Sequence, residues 1–245
     1  MKDQANLIEI FSSYQGEGPY VGRPMTFLRF QDCALSCSYC DTPASFEKHP
    51  QFRVETPPRS RGFEFYPNPI DAAALTRTLE SFTDPFLSLT GGEPLQHADF
   101  LKIWLPQLPR RFKILLETNG VLPAALAKVL PWIDVVSMDL KLPSVTGMRA
   151  YWKEHGEFLK LARDKEVYVK LVVSQPTDLG EWREAVALVE AEAPEVPFIL
   201  QPVTPFGPVR EEIRPDHLQQ LFELSKGRLK DVRVIPQVHP RLGIL

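Results

Sequence analysis

The three cysteines of this chain, Cys33, Cys37 and Cys40, all lie in one short stretch, QDCALSCSYCDTPAS. Closely spaced thiolates hold iron–sulfur clusters, and a 4Fe-4S cube has four irons to be ligated. Three protein thiolates leave one iron open, and an open metal position can take a substrate or cofactor, as catalytic zinc sites do. The alternatives are a structural zinc ion completed by a distant histidine, or unligated buried thiols. Because the five histidines are scattered without zinc-finger spacing, the pattern favours the cluster.

Four further polar or glycine-rich motifs end or follow predicted strands: TGGEP (90–94), ETNG (117–120), MDLK (138–141) and QPV (201–203). Adjacent glycines allow a ligand to approach the backbone closely, although TGGEP by itself also fits a plain turn between strand and helix. Ligands of α/β sheets collect at the carboxyl ends of the strands. We therefore expect these motifs and the cysteine loop (residues 31–45) to converge on one rim of the sheet, at the carboxyl ends of its strands.

Short apolar runs rich in β-branched and aromatic residues alternate with helical patterns, which predicts a parallel sheet with helices outside it. This α/β fold would be an open doubly wound sheet or an incomplete (β/α) barrel of about six or seven strands. The predicted strands are 25–30, 85–90, 112–118, 133–140, 166–173, 197–203 and 231–236. The predicted helices lie near 70–83, 97–107, 122–130, 147–163, 178–192 and 215–226.

Boundary residues define two of these helices. Asn68 is predicted to cap a helix that starts at Pro69, and Pro215 to open a helix that Gly227 ends. Residues 43–70 interrupt the alternation because they are polar and rich in proline. We expect an inserted loop there, with a hairpin of FRVET and FEFY lying over one face of the fold.

Composition limits the class of protein. The chain has 245 residues, 44% of them hydrophobic, which suits one large domain over 1–245. A net charge of -3 does not suggest direct nucleic-acid binding, and no run reaches the roughly 18 apolar residues of a membrane span. The first residues lack the apolar core of a signal peptide. Since an odd cysteine count in one loop makes no disulfide framework, we expect a cytoplasmic protein with reduced thiols.

Taken together, CxxxCxxC after one strand, GGEP after the next and polar groups at later strand ends resemble the radical S-adenosylmethionine superfamily. That resemblance implies an incomplete (β/α) barrel and a 4Fe-4S cluster whose open iron binds S-adenosylmethionine. One-electron reduction would then release a 5′-deoxyadenosyl radical that abstracts hydrogen from the substrate. The radical would come from the cofactor, so no protein residue is expected to be the catalytic group itself.

Within the superfamily, QGEG (15–18), CDTPAS (40–45) and PQVHPRLG (236–243) are similar to the 7-carboxy-7-deazaguanine synthase family. The similarity runs from about residue 7 to 243, and residues 43–70 match it poorly. It implies a carbon–nitrogen lyase of queuosine and deazaguanine biosynthesis. The substrate would be 6-carboxy-5,6,7,8-tetrahydropterin, which loses ammonia to give 7-carboxy-7-deazaguanine.

The resemblance also assigns roles to individual residues. The metal ligands would be Cys33, Cys37 and Cys40 on the cluster, and Thr42 on a Mg²⁺ ion that holds the substrate carboxylate. The cofactor contacts would be Tyr39 near the adenine, Cys40, Asp41, Gly91, Gly92, Glu93, Asn119, Asp139 and Lys141. The substrate contacts would be Tyr14, Gln15, Gly16, Glu17, Arg29, Thr90, Gln201, Gln237 and His239.

Two of these assignments carry a chemical argument of their own. Arg29 offers a guanidinium fork that matches a carboxylate. SMDLK (137–141) departs from the serine–proline–lysine found in many relatives, so Asp139 either bonds a ribose hydroxyl or forms an ion pair with Lys141.

Two other functions compete with this interpretation. A radical-generating activase of a partner protein shares CxxxCxxC, but QGEG and the PQVH tail argue against it. A zinc-binding structural module is the third possibility. For the synthase, the resemblance implies a small pterin substrate and suggests a homodimer. We also expect an electron donor such as flavodoxin or ferredoxin as a partner.

Overall fold

The computed structural model describes residues 3–206 and 209–244. One twisted sheet dominates this part of the chain. Its strands, with two short ones that pair separately, are β1 (Gln4–Ala5), β2 (Leu7–Tyr14), β3 (Pro24–Phe30), β4 (Gln51–Glu55), β5 (Phe63–Pro67), β6 (Ile70–Asp71), β7 (Phe86–Gly91), β8 (Lys113–Thr118), β9 (Val135–Asp139), β10 (Glu166–Val173), β11 (Phe198–Pro202) and β12 (Val232–Val234).

From β6 onward, α-helices lie between successive strands. They are α1 (Ala72–Thr78), α2 (Ala98–Trp104), α3 (Pro123–Val129), α4 (Pro143–Thr146), α5 (Trp152–Ala162), α6 (Leu179–Glu192), α7 (Pro215–Lys226) and α8 (His239–Leu242). The predicted helix 147–163 is present as α5, which starts later, at Trp152, and the short helix α4 before it was not predicted. The other predicted helices are present, and α7 begins at Pro215 and ends before Gly227 as predicted.

The sheet has the order β12-β11-β10-β9-β8-β7-β3-β2-β4-β5, and the seven strands from β3 to β12 in this row are all parallel. These seven are the seven strands predicted from sequence. The row is open, because its two outermost strands, β12 and β5, do not pair with each other. The predicted α/β fold with an incomplete barrel is thus confirmed.

The other end of the sheet corrects two predictions. Strand β2 was not predicted, and it pairs antiparallel with β3. The predicted hairpin is present as β4 and β5, but it does not lie over a face of the fold. Instead β4 pairs with β2, so the hairpin of residues 51–67 extends the sheet at its edge.

Asn68 does not cap a helix. Its side-chain amide binds both backbone polar groups of Leu7, accepting from the N–H at 3.0 Å and donating to the carbonyl at 2.7 Å. The cap of α1 is Asp71, which accepts a hydrogen bond from the N–H of Ala74 at 2.8 Å. Because the Asn68 side chain binds the backbone of Leu7, it is not available to cap α1. The helix therefore starts after Asp71 and not at Pro69.

Two apolar clusters lie on the two faces of the sheet. Because side chains alternate along a strand, Ile114 and Leu116 join the large cluster that packs under the helices, whereas Leu115 joins a smaller cluster on the inner face. The inner cluster also contains Phe11, Met25, Phe27, Phe86, Val135, Tyr168 and Ile199.

Among the described helices, none has both the length and the apolar character needed to cross a membrane.

Candidate active site

A cavity of about 370 Å³ opens on the inner face, at the carboxyl ends of the parallel strands. This volume lies within the usual range of small-molecule sites, about 300–1,000 Å³. Every predicted site residue except Glu93 lines it: Tyr14, Gln15, Gly16, Glu17, Arg29, Cys33, Cys37, Tyr39, Cys40, Asp41, Thr42, Thr90, Gly91, Gly92, Asn119, Asp139, Lys141, Gln201, Gln237 and His239. The strand-end motifs therefore converge on one rim as expected.

The cysteine loop is held in place from the side of α4. Ser38 donates a backbone hydrogen bond to Thr146 O at 3.0 Å and a hydroxyl hydrogen bond to Val145 O at 2.7 Å. The N–H of Ser36 points to the sulfur of Met148 at 3.3 Å. These contacts fix the segment between the first and last cysteines over the cavity.

The three thiols are partly buried and form no disulfide. Burial raises the pKa of Cys33 to about 11 and also raises the pKa values of Cys37 and Cys40. The thiols are consequently protonated at neutral pH when no metal is bound. Ligation by these side chains therefore releases protons.

The two glycines at the end of β7, Gly91 and Gly92, are required because the backbone of the cysteine loop packs against them. Gly91 has φ +118, and a Cβ there would lie 2.4 Å from the carbonyl oxygen of Phe30. A Cβ on Gly92 would lie 2.3 Å from the carbonyl oxygen of Asp32. The cysteine loop leaves β3 through Phe30 and Asp32, so TGGEP lets that loop pack directly against the end of β7.

Glu93 lies behind the cavity wall, completely buried. Its carboxylate accepts hydrogen bonds from the N–H groups of Leu95 at 3.0 Å and Asn119 at 2.8 Å, and from the Thr118 hydroxyl at 2.9 Å. Burial raises the pKa of Glu93 to about 7, although these three donors act in the opposite direction. The residue thus ties the end of β7 to the end of β8 and orients Asn119, which does reach the cavity.

Asp139 forms the ion pair that the sequence left as one of two possibilities. Its Oδ2 lies 2.9 Å from Lys141 Nζ and 3.2 Å from Lys170 Nζ. Burial alone would raise the pKa of Asp139, but the two lysine charges outweigh it and lower the pKa. Lys141 also donates to the hydroxyl of Tyr39 at 3.1 Å, which links this pair to the cysteine loop.

Glu17 lines the cavity and joins the charge network of Asp139 through their shared partner Lys170. It lies 2.7 Å from Lys170 Nζ and accepts hydrogen bonds from the amides of Gln201 at 3.1 Å and Gln237 at 2.6 Å. Burial would raise the pKa of Glu17, but Lys170 and these donors more than offset it and lower the pKa to about 2. The carboxylate is therefore ionised at neutral pH.

The QGEG loop and the carboxyl-terminal tail meet at Gly16. The N–H of Val238 donates to Gly16 O at 2.9 Å, and a Cβ on Gly16 would lie 2.2 Å from His239 Nδ1. Only glycine leaves room for the imidazole at this position. The two predicted substrate-contact segments, distant in sequence, thus form one wall.

Arg29 reaches the cavity beside Thr42. Its Nε donates to Glu9 Oε1 at 2.9 Å, and its Nη1 donates to the Thr42 hydroxyl at 3.3 Å. The same hydroxyl donates to Asp41 Oδ1 at 3.1 Å. A cation, a hydroxyl and a carboxylate are thus adjacent at this side of the cavity.

Three buried polar atoms that belong to cavity-lining residues have no hydrogen-bond partner among the described residues: Asn119 Nδ2, Asp139 Oδ1 and Gln201 Oε1. Leaving such an atom unpaired costs about 1–3 kcal/mol. One donor and two acceptors therefore fit a polar ligand such as S-adenosylmethionine or a pterin. In the described ranges no three His, Cys, Asp or Glu side chains meet at a single ion. A 4Fe-4S cube does not need that arrangement, because each thiolate binds a different iron.

Comparison with known proteins places this geometry in a family. The sequence profile of the radical SAM superfamily matches residues 28–177. A 7-carboxy-7-deazaguanine synthase of Geobacter sulfurreducens is 38% identical over 250 residues, which covers 100% of this chain and 99% of the relative. The chain belongs to the 7-carboxy-7-deazaguanine synthase family of the radical SAM superfamily.

Other comparisons agree with this family. A 7-carboxy-7-deazaguanine synthase of Methanothermobacter thermautotrophicus is 33% identical, covering 98% of each chain. The crystal structure of QueE from Escherichia coli superposes with a TM-score of 0.60 at 19% identity, over 96% of this chain and 94% of that one, and supports the fold. Membership in the synthase family does not favour the activase or the zinc module.

Two charged residues that line the cavity, Lys170 and Glu117, were not among the predicted site residues, although Glu117 belongs to the ETNG motif that was expected at this rim. Glu117 accepts from the amide of Gln15 at 3.1 Å and from the Ser88 hydroxyl at 2.6 Å, and burial followed by the charge of Glu17 raises its pKa. Lys170 interrupts the apolar strand EVYVKLVV. A lysine inside an otherwise apolar strand was the signal in the sequence that could have identified Lys170 as a site residue.

Proposed function

We propose that this chain converts 6-carboxy-5,6,7,8-tetrahydropterin to 7-carboxy-7-deazaguanine with release of ammonia, in deazaguanine and queuosine biosynthesis. The observation that carries the proposal is the full-length similarity to a curated synthase, joined to a cavity in which the cysteine loop, Arg29 and Glu17 face one space. The protein would act as one domain over 1–245.

In this proposal Cys33, Cys37 and Cys40 hold the 4Fe-4S cluster, and the cofactor contacts are Tyr39, Asp41, Gly91, Gly92, Asn119, Asp139 and Lys141. When bound, the cluster and S-adenosylmethionine supply the 5′-deoxyadenosyl radical that starts the reaction. The residues of the chain orient the ligands and exclude water. The unpaired Asn119 Nδ2 and Asp139 Oδ1 support polar cofactor contacts on this side. Glu93 contributes indirectly, by holding the backbone of Asn119.

The pterin edge would lie over the floor of the cavity. The ionised Glu17 carboxylate can accept from the amino group of the pterin, and the unpaired Gln201 Oε1 can accept from a ring N–H. Tyr14, Gln15, Gly16, Thr90, Gln237 and His239 complete the proposed substrate contacts.

The substrate carboxylate would lie between Arg29 and a Mg²⁺ ion bound by the Thr42 hydroxyl. Mg²⁺ prefers oxygen ligands and keeps several waters, so one or two protein oxygens suffice. Arg29 Nη1 is 3.3 Å from Thr42 Oγ1. An anionic group between Arg29 and the Mg²⁺ ion would interact with both positive charges. This supports binding of the substrate carboxylate at this side of the cavity.

The deciding experiment is an anaerobic assay of deazapurine formation with the reconstituted, reduced enzyme. We expect no turnover when S-adenosylmethionine is omitted and a marked decrease when Mg²⁺ is omitted. An iron-loaded enzyme that cleaves S-adenosylmethionine but never converts the carboxypterin would refute the proposal. Full activity without Mg²⁺ would refute only the assignment of Thr42.

Three further parts of the proposal concern the cellular context. A flavodoxin or ferredoxin would supply the electron, the enzyme would be a homodimer, and it would work in the cytoplasm, where its three reduced thiols stay available. Light scattering tests the dimer, since the proposal requires twice the mass of the chain. Reduction kinetics with each purified carrier identify the donor.

A further inference from the structure

A row of four residues crosses four neighbouring strands and leads from the hairpin of residues 51–67 to the cavity. Glu9 on β2 is paired in register with Arg53 on β4 and with Arg29 on β3. Arg29 in turn pairs with Thr90 on β7. Residues directly opposite each other on adjacent strands place their side chains on the same face. The row therefore connects the hairpin to the cavity walls formed by Arg29 and Thr90.

Glu9 is the centre of this row and is held by both arginines. Arg53 donates to Glu9 Oε2 through Nε at 2.8 Å and through Nη2 at 2.6 Å, a two-nitrogen clamp. Arg29 donates to the other carboxylate oxygen through Nε at 2.9 Å. Glu9 is only 7% exposed. A carboxylate at this depth needs compensating charge, and two hydrogen-bonded cations provide it.

The second strand of the hairpin positions Arg53. The guanidinium of Arg53 lies over the ring of Phe63 on β5, 4.4 Å from its centroid. Phe63 also packs against the inner apolar cluster. Both strands of the hairpin thus contribute to the clamp on Glu9.

The clamp leaves one positive charge in excess. Two arginines face one glutamate in the row, so Arg53 compensates Glu9 and the charge of Arg29 remains available toward the cavity. Arg29 Nη2 has no hydrogen-bond partner within residues 3–206 and 209–244, and Nη1 points to Thr42.

Two further carboxylates lie near this row. Asp41 is exposed and better screened by solvent. Glu55, two residues after Arg53 on β4, is buried, and its carboxylate accepts hydrogen bonds from the backbone N–H groups of Ser12 at 3.0 Å and Arg61 at 2.9 Å.

We propose that Arg53 is a positioning residue for the substrate carboxylate: it neutralises and fixes Glu9, so that Arg29 keeps both a net charge and a free nitrogen for the anion. This inference rests on the proposed function and gives the segment 43–70 a part in it. Without Arg53, Glu9 would compensate Arg29 instead, and the cavity would attract a carboxylate less.

The test measures equilibrium binding of the carboxypterin to enzyme with an oxidised cluster and bound S-adenosylmethionine, where no turnover occurs. We expect Arg53→Gln to weaken binding about tenfold, within the range of coupling between neighbouring sites, and to raise KM with little change in kcat. Arg77→Gln, the same change at an exposed position of α1, should bind as the unmodified enzyme does. A tetrahydropterin without the carboxylate should bind equally to all variants.

The double variant Glu9→Gln with Arg53→Gln separates charge from structure. It removes one negative and one positive charge, so the excess charge at Arg29 returns and affinity should recover to within about threefold of the unmodified enzyme. If Arg53→Gln binds normally, or if the double variant binds no better than Arg53→Gln, the inference is wrong. Failure of the proposed function would look different, because the unmodified enzyme would then neither bind nor convert the carboxypterin.

Discussion

At the scale of single residues, the cysteines define the site more sharply than any other group. We expect Cys37→Ala to lose the cluster and turnover together, because two thiolates leave two irons without protein ligands. Iron content and the visible absorption of the reconstituted protein measure the loss. Ser36→Ala is the matched control in the same loop, since Ser36 contacts Met148 through its backbone N–H and not its side chain. Full iron content in Cys37→Ala would contradict the ligand assignment.

The cavity also shows which site residues could be predicted from the sequence and which could not. The cysteines stand in a loop after a predicted strand, so their place at the rim could be predicted from strand order, whereas Arg29 and Glu17 were assigned only through the family resemblance. Lys170 could not be assigned in this way, because its partner Glu17 is 153 positions away and no motif surrounds it. Its role depends on a pairing that only the folded inner face creates.

At the scale of elements, the junction of β7 with the cysteine loop leaves no room for a side chain at Gly91 or Gly92. We expect Gly92→Ala to push the loop away from β7, since its Cβ would lie 2.3 Å from the Asp32 carbonyl oxygen, which is backbone and yields little. The expected cost is about 1–3 kcal/mol of unfolding free energy, with a lower iron content after reconstitution. Thermal denaturation and iron analysis measure both effects.

Gly227→Ala is the control for this change. It stands at the end of α7 with φ -77, and a Cβ there would meet nothing within 4 Å. We expect its stability to be unchanged or slightly higher, because alanine restricts the unfolded chain. Equal stability and equal iron content in the two variants would show that the β7 junction is not tight.

The elements themselves could be predicted where local pattern decides them. The seven parallel strands are apolar runs between helices, and all seven are present. Strand β2 was missed because LIEIFSSY mixes buried polar residues with apolar ones. The position of the hairpin was wrong because its partner, β2, was not recognised, and Asn68 was taken for a cap because its long-range contact with Leu7 is invisible in sequence.

At the scale of the whole molecule, Glu17 connects segments from the two ends of the chain. It contacts Lys170 on β10, Gln201 on β11 and Gln237 in the tail. The tail also meets the QGEG loop at Gly16, whose carbonyl oxygen accepts a hydrogen bond from the N–H of Val238 at 2.9 Å. The state of this one carboxylate should therefore influence the stability of the entire fold.

The last prediction follows from the pKa of Glu17. In the folded protein it is lowered to about 2 from an ordinary value of 4.5. A carboxylate with a lowered folded pKa stabilises the fold above its unfolded pKa, and this contribution disappears as the pH falls from about 4.5 toward about 2. The corresponding free energy is about 3 kcal/mol.

We expect Glu17→Gln to be less stable than the unmodified chain at neutral pH, and the difference between the two to shrink between about pH 5 and about pH 3. Urea unfolding measures it, on protein without the cluster, because metal binding by thiolates is itself pH-dependent. Other carboxylates titrate in both proteins, so only the difference between the two curves reports on Glu17. A difference that stays constant over this range would show that Glu17 is not held ionised by Lys170.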